Sequence, residues 1–520
     1  MKPFDANGMF APSVPDSGHA LRKLAMRGAG ATIFSGMLRL AIQMVGTVVL
    51  ARLILPREFG LVTMVTTFSV LLMSCGSNGI TEAVAQCEHV THGLASNLFW
   101  VTVGVGAALT AGFAAAGTLV AKFYGETELA PLCVALSAAI LISSCSVVHL
   151  ALLRRAMRFS TVAKIDVAAR VVSVATGILF GLAGWGRWAL VVGWCALYFS
   201  MMAGGMIMCR WVPGRPRYVA GTGAMLRFAA HTYGRFSVQY FSSNTDNLLV
   251  GWRFGAHALG FYKRAYDLFA LSAAQLVSAT ALVAVSALSR VRNNRELYRS
   301  YLLGALTVMG FLGMGIAGDL TLVGKDLIRL LLGPGWETAG LIFTYFAPGI
   351  GAMLIYGTHG WIHLSIGRAD RWFVWGIAEW LVTTSLFFIG LPWGPQGIAV
   401  AWGVSYWSLI VPAMWYAGKP IGLGVGPVLS SVWRFVAASL LAGLSAEAIL
   451  RQWPALSLAT GASGAAERLG LVSLLFTCLY LGAIILLHGG FAPAKKMMGL
   501  LKEMSSVAKE PAAASASENC

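Results

Sequence analysis

Charge is scarce in this chain. Only 11% of its 520 residues are Asp, Glu, Lys or Arg, 57% are hydrophobic, and the mean hydropathy is +0.72. No water-soluble domain of this length can hide that much apolar surface in its core. Regular polar–apolar alternation is also missing, which argues against a membrane β-barrel. The eight Cys are scattered, with neither a CxxC pair nor metal-ligand spacing, and read as small buried hydrophobes. There is no GxxxxGK[ST] loop, no Ser-His-Asp set and no paired-carboxylate constellation, so neither a nucleotide site nor a catalytic site is visible. No cofactor or metal is called for.

What is present is a series of apolar runs, each about 20 residues long, the length that a bilayer demands of a helix. About 14 can be counted, from 31–50 to 469–488. Lipid offers backbone groups no hydrogen-bond partner, so these runs must be helices, and the expected class is an all-α polytopic membrane protein. Residues 1–27 have no apolar centre and do not read as a cleavable signal. The tail after Pro493, rich in Ala, Ser and Glu, reads as disordered.

The net charge of +17 is a topology signal. With the N-terminus in the cytoplasm, Arg22, Lys23 and Arg27, then Arg154, Arg155 and Arg158, then Arg210, Arg215 and Arg217, then Arg290, Arg292, Arg295 and Arg299, and finally Lys495, Lys496 and Lys502 share one side. Basic residues favour that side by roughly two to one, which predicts both termini inside. The clusters alternate with spans and form no nucleic-acid footprint.

A long apolar run twice meets a turn of the same kind. Phe59-Gly60-Leu61 falls opposite Leu259-Gly260-Phe261, which suggests one helical unit duplicated. The expected layout is a cytoplasmic segment 1–30, a first six-helix bundle 31–209, a linker 210–225, a second six-helix bundle 226–416, two extra helices in 428–488 and a cytoplasmic tail 489–520.

Six motifs in order carry a family resemblance: Ala51-Arg52-Leu53 through Pro56-Arg57-Glu58-Phe59-Gly60-Leu61, Leu153-Arg154-Arg155-Ala156-Met157-Arg158-Phe159, Asn244-Thr245-Asp246-Asn247-Leu248-Leu249-Val250-Gly251, Ala258-Leu259-Gly260-Phe261-Tyr262, Leu332-Gly333-Pro334-Gly335-Trp336 and Gly394-Pro395-Gln396-Gly397-Ile398-Ala399. Through them the chain resembles the polysaccharide-transporter branch of the multidrug/oligosaccharidyl-lipid/polysaccharide exporter superfamily. His257 departs from the pattern, where a small residue is more usual. The resemblance implies a flippase, not an enzyme, that moves an undecaprenyl-pyrophosphate-linked oligosaccharide across the bacterial inner membrane by alternating access. It also implies that membrane lipids, the polysaccharide polymerase and the export machinery are partners. A multidrug exporter of the same superfamily and a polytopic glycosyltransferase or ligase are the alternatives. The first would want an acidic, aromatic cavity, and the second a large loop or a carboxylate motif.

Arginine inside a membrane normally faces water or a partner. Arg39 and Gln43 lie one turn apart on span one, with Thr32 and Ser35 continuing the stripe, while Arg235, Gln239, Ser242 and Asp246 form a matching stripe on span seven. Arg39, Gln43, Arg170, Arg235 and Gln239 are therefore the candidate substrate contacts. Snorkelling is the plainer reading for Arg39 and Arg235, and an intrahelical pair with Asp166 the plainer one for Arg170. Asp246 and Glu379 are candidate ion-coupling acids, although Asp246 also suits capping and Glu379 a pair with Arg371. Glu447 is the remaining membrane acid in this reading. His359 and His363, at i and i+4, read as cavity or interfacial histidines rather than metal ligands.

Overall fold

The computed structural model describes residues 3–10, 18–87, 89–217, 219, 221–453 and 461–490. Lys495, Lys496, Lys502 and the expected disordered tail lie outside the described residues, as does the side chain of Thr32. Among the described residues fifteen α-helices follow in order: α1 (Gly18–Leu53), α2 (Pro56–Gln86), α3 (His92–Ala115), α4 (Gly117–Tyr124), α5 (Leu129–Arg155), α6 (Phe159–Leu182), α7 (Arg187–Cys209), α8 (Thr222–Ser242), α9 (Thr245–Arg290), α10 (Arg295–Leu332), α11 (Glu337–Ser365), α12 (Ala369–Gly390), α13 (Gly394–Gly418), α14 (Val425–Gln452) and α15 (Gly461–His488). Among the described residues eleven stretches are long and apolar enough to cross a bilayer, one of them running through both α12 and α13. The chain is an all-α, multi-pass membrane protein.

Two compact units divide it, residues 1–263 and 264–520. In the first, α5 is the central post, packed by α2, α3 and α7, while α1 lies along α6, α6 along α7, and α8 along α2. The link after α7 is pinned to α3. Asn97 Oδ1 accepts from Arg217 N at 3.0 Å, Ser96 Oγ accepts from Gly214 N at 2.9 Å, and Trp100 Nε1 donates to Gly214 O at 2.8 Å. Residues 3–10 are ordered too, bonding to Val90 and His92 and setting Phe4 beside Trp211.

The duplicated turns meet inside this unit. In the first copy the chain breaks at extended Leu55 and Pro56 starts the next helix. The second copy uses Gly255, whose φ of 78° few side chains tolerate, to kink α9 into 245–254 and 256–290. A Cβ on Gly60 would lie 1.7 Å from Ala256 O, and one on Gly260 would lie 1.9 Å from Pro56 O. These contacts are images of one another under the repeat, and only glycine lets the two backbones approach so closely. That interlock keeps α8 and the start of α9 with the first unit.

In the second unit α11 runs between α10 and α13, and α12 and α13 form a hairpin through the 3-10 turn Leu391–Trp393. Helices α14 and α15 pack on α10 and on each other. Ser439 Oγ donates to Met314 O and Tyr480 Oη to Phe311 O, both at 2.8 Å, and Arg468 grips Asp326 at 2.6 Å. The last two helices are thus bolted to the unit by specific bonds.

Candidate substrate site

Helix pairing brings three of the membrane charges together. Asp166 on α6 lies 3.3 Å from Arg39 Nη1 on α1 and 3.8 Å from Arg170 Nε one turn along its own helix. One carboxylate therefore holds two guanidiniums, and the group keeps a single positive charge. The Arg39 side chain is 45% exposed and that of Asp166 only 20%, so the loose end of the cluster is the Arg39 head. Tyr198 on α7 lies within Coulombic reach of Arg170 and stacks on Trp194 with ring centroids 5.8 Å apart. Gln43 stays exposed one turn above Arg39, with no hydrogen bond among the described residues.

Helix α8 shows why its stripe stands apart. Tyr233 and Tyr240 donate to the backbone of α2, at Leu71 O and Thr67 O, over 3.0 and 2.9 Å, and so fix which side of α8 is packed. The other side carries Arg227, His231, Arg235 and Gln239 at spacings of four, all exposed. Gln239 Nε2 reaches Ser243 Oγ at 3.5 Å, while Arg227, His231 and Arg235 make no ion pair or hydrogen bond among the described residues. These charges lower the hydropathy of α8, which is not among the eleven apolar stretches. Arg227 and His231 extend the predicted stripe and were missed because the reading began at Arg235. A cavity of about 340 Å³ with a mostly apolar lining lies beside the packed face, between Gly76 and Thr102 on one side and Ala229 and Tyr233 on the other.

The two acids stand elsewhere. Asp246 is fully buried and accepts from Tyr262 Oη and Asn247 N, each at 2.8 Å, so it ties 245–254 to the segment beyond the Gly255 kink. Glu379, in the second unit, faces the Tyr356 hydroxyl. Arg371 does not reach it: it donates to Tyr416 O at 2.7 Å and lies over the Tyr416 ring. Glu447 makes an exposed pair with Arg451 at 3.1 Å. Asp319 on α10, a membrane acid passed over in the sequence, lies beside Ser473 on α15. His359 and His363 have ring centroids 6.0 Å apart, and no third His, Cys, Asp or Glu joins them among the described residues.

An ion network that sequence spacing could not show closes one end of the first unit. Arg57 meets Glu126 at 2.8 Å and Glu128 at 3.3 Å, and Arg187 bonds both Glu128 and Glu58. Three inter-helix turns are joined by it. It also gives the Pro56-Arg57-Glu58-Phe59-Gly60 motif a physical basis, since each residue starts the helix, pairs across turns, is buried or admits the crossing backbone.

Bundled apolar helices, eleven stretches of them long enough to cross a bilayer among the described residues, define a polytopic membrane protein. Residues 49–340 match the family described as polysaccharide biosynthesis protein, and the chain belongs to that family. It is 22% identical over 325 residues to the lipopolysaccharide biosynthesis protein WzxC of Escherichia coli (strain K12), covering 61% of this chain and 65% of that one, just under two thirds. It is 23% identical to the teichuronic acid biosynthesis protein TuaB of Bacillus subtilis (strain 168), over 80% of this chain and 86% of that one. Among solved structures, the lipid II flippase MurJ in an inward closed conformation superposes with a TM-score of 0.70 at 14% identity, over 89% of this chain and 98% of that one, which shows a common fold.

Proposed function

We propose that this protein is a flippase of the bacterial inner membrane, translocating undecaprenyl-pyrophosphate-linked oligosaccharide units for exopolysaccharide, capsule or O-antigen assembly. The observation that carries this reading is the Arg39–Asp166–Arg170 cluster, within a fold shared with a lipid II flippase and a family named for polysaccharide biosynthesis. A pyrophosphate offers more negative charge and more acceptor oxygens than one carboxylate. It draws the exposed Arg39 head from Asp166, and the planar guanidinium grips two oxygens at once. Asp166 keeps Arg170 in place meanwhile. Arg235, Gln239 and Gln43 take further head-group contacts, while the polyprenyl tail stays in lipid.

Translocation of this kind breaks no covalent bond, and alternating access exposes the head group to each side in turn. Both termini are cytoplasmic, and the polymerase and export machinery receive the unit on the outer face. Coupling belongs to Glu379 rather than to Asp246, whose oxygens are engaged at the crossing of the repeated turns. The test is deletion of the gene and complementation. The mutant should lose surface polysaccharide and accumulate lipid-linked units in the inner leaflet, and the wild-type gene should reverse both. Normal surface polysaccharide in the deletion strain contradicts the proposal.

A further inference from the structure

The second unit holds a buried line of titratable side chains that head-group binding does not use. His359 and His363 on α11 are 4% and 0% exposed. His359 Nδ1 lies 2.6 Å from Tyr356 O, which as a carbonyl can only accept. That bond puts the proton of the neutral ring on Nδ1 and leaves Nε2 as a bare acceptor, without a protein partner. Both ring nitrogens of His363 are equally without partner. A cluster with no route and no partner would be costly to bury, since interior polar groups are otherwise bonded to protein or water.

The line continues inward and outward. Tyr356 packs its ring 4.4 Å from His359, centroid to centroid. Its oxygen accepts from Trp375 Nε1 at 2.8 Å, so its own O–H is left to donate, and the Glu379 carboxyl is what it faces. At the other end His363 faces Arg371 and Asp370, and Asp370 sits exposed in a pair with Arg368 at 2.9 Å. From α13, Tyr416 lies 5.9 Å from His363 and Tyr406 lies 5.6 Å from Tyr356, centroid to centroid; from α10, Tyr298 bonds Ser365 at 2.6 Å. From His363 to Tyr356 is seven residues of helix, a rise of about 10 Å.

We propose that His363, His359, Tyr356 and Glu379 form a proton relay that loads Glu379 from the Asp370 end of α11 and α12, the end that the orientation above makes cytoplasmic. This rests on the transporter reading and deepens it, naming the coupling ion and its path. A proton enters on one nitrogen of His363 as the other releases one. A bridging water carries it to His359 Nε2, since the rings are too far apart for direct contact. The Nδ1 proton, released from its bond to the Tyr356 carbonyl, passes by way of a second water to the Tyr356 hydroxyl oxygen, as the Tyr356 hydroxyl proton passes to Glu379. Charge and atoms balance at each hop, and no partner beyond water is needed. Buried chains of Asp, Glu and His are the usual means of moving protons through membrane proteins.

The experiment uses the purified full-length protein in phosphatidylethanolamine and phosphatidylglycerol vesicles, with infrared difference spectra taken between mildly alkaline and mildly acidic buffer. Wild type should show a protonated-carboxyl band that disappears in Glu379→Gln and returns, shifted, in Glu379→Asp. After a rapid pH jump, His359→Gln and His363→Gln should reach the same final band at least about tenfold more slowly. A purely structural role for the histidines would leave that rate unchanged, and this result overturns the relay, as does a band that survives Glu379→Gln. Equal elution of all variants on a sizing column checks folding. Loss of polysaccharide export on gene deletion is scored separately, so a normal deletion strain would sink the flippase reading while the vesicle spectra still judge the relay.

Discussion

A charged residue at the centre of a membrane helix costs about 2.5–3.5 kcal/mol on the insertion scale, so its partner is the first thing to establish. For Arg170 the sequence supplied it, because Asp166 lies one helical turn away. For Arg39 it could not, because the same Asp166 is 127 residues distant and only the packing of α1 on α6 joins them. The ion network of Arg57, Glu126, Glu128 and Arg187 was illegible for the same reason. Glycine is the opposite case. The repeat had marked Gly60 and Gly260, and their conformational role is now clear from the backbone oxygens they face. Gly60→Ala should therefore lower the thermal unfolding midpoint by several degrees, in line with an overpacking cost of about 1–3 kcal/mol. Gly443→Ala on α14, where an added Cβ meets nothing within 4 Å, should leave the midpoint unchanged or slightly raised. Equal behaviour of the two variants would contradict the interlock.

At the scale of elements, the boundaries were readable wherever Pro or Gly enforces them, as at Pro56 and at the Gly394-Pro395 turn between α12 and α13. Helix α8 was harder. Its composition is too polar for a lipid-facing span, and only the tyrosine bonds to α2 show that its cations share the face turned away from that contact. The link that follows α7 was read as a bare connection, but hydrogen bonds run along it to α3. Asn97→Ala removes the side chain that both donates to Arg217 O and accepts from Arg217 N. Trypsin applied to inside-out vesicles should then cut after Arg217 several-fold faster than in wild type. An unchanged cleavage rate would mean that the link is held by other contacts.

For the molecule as a whole, hydropathy and charge made the class plain, since apolar runs and basic loops are local features that survive without a fold. What they could not supply was the assembly of each unit: the reciprocal crossing of the two turns, the seating of α14 and α15 on α10, and the gathering of Arg39, Asp166 and Arg170. The orientation proposed from the basic loops predicts cytoplasmic reporter signals from fusions after Arg217, Arg295 and Lys502, and a periplasmic signal from the last would contradict it. The central claim is that a cationic cluster on α1 and α6 holds the pyrophosphate. Its most direct test is the affinity of purified wild type and variants for undecaprenyl pyrophosphate. A hydrogen bond to a charged group is worth about 1.5–3 kcal/mol, so Arg39→Ala should bind at least about tenfold more weakly. Arg39→Lys, which keeps the charge but loses the planar fork, should fall between, and Arg451→Ala, whose side chain is 77% exposed, should match wild type. Wild-type affinity in a properly folded Arg39→Ala protein would contradict the account.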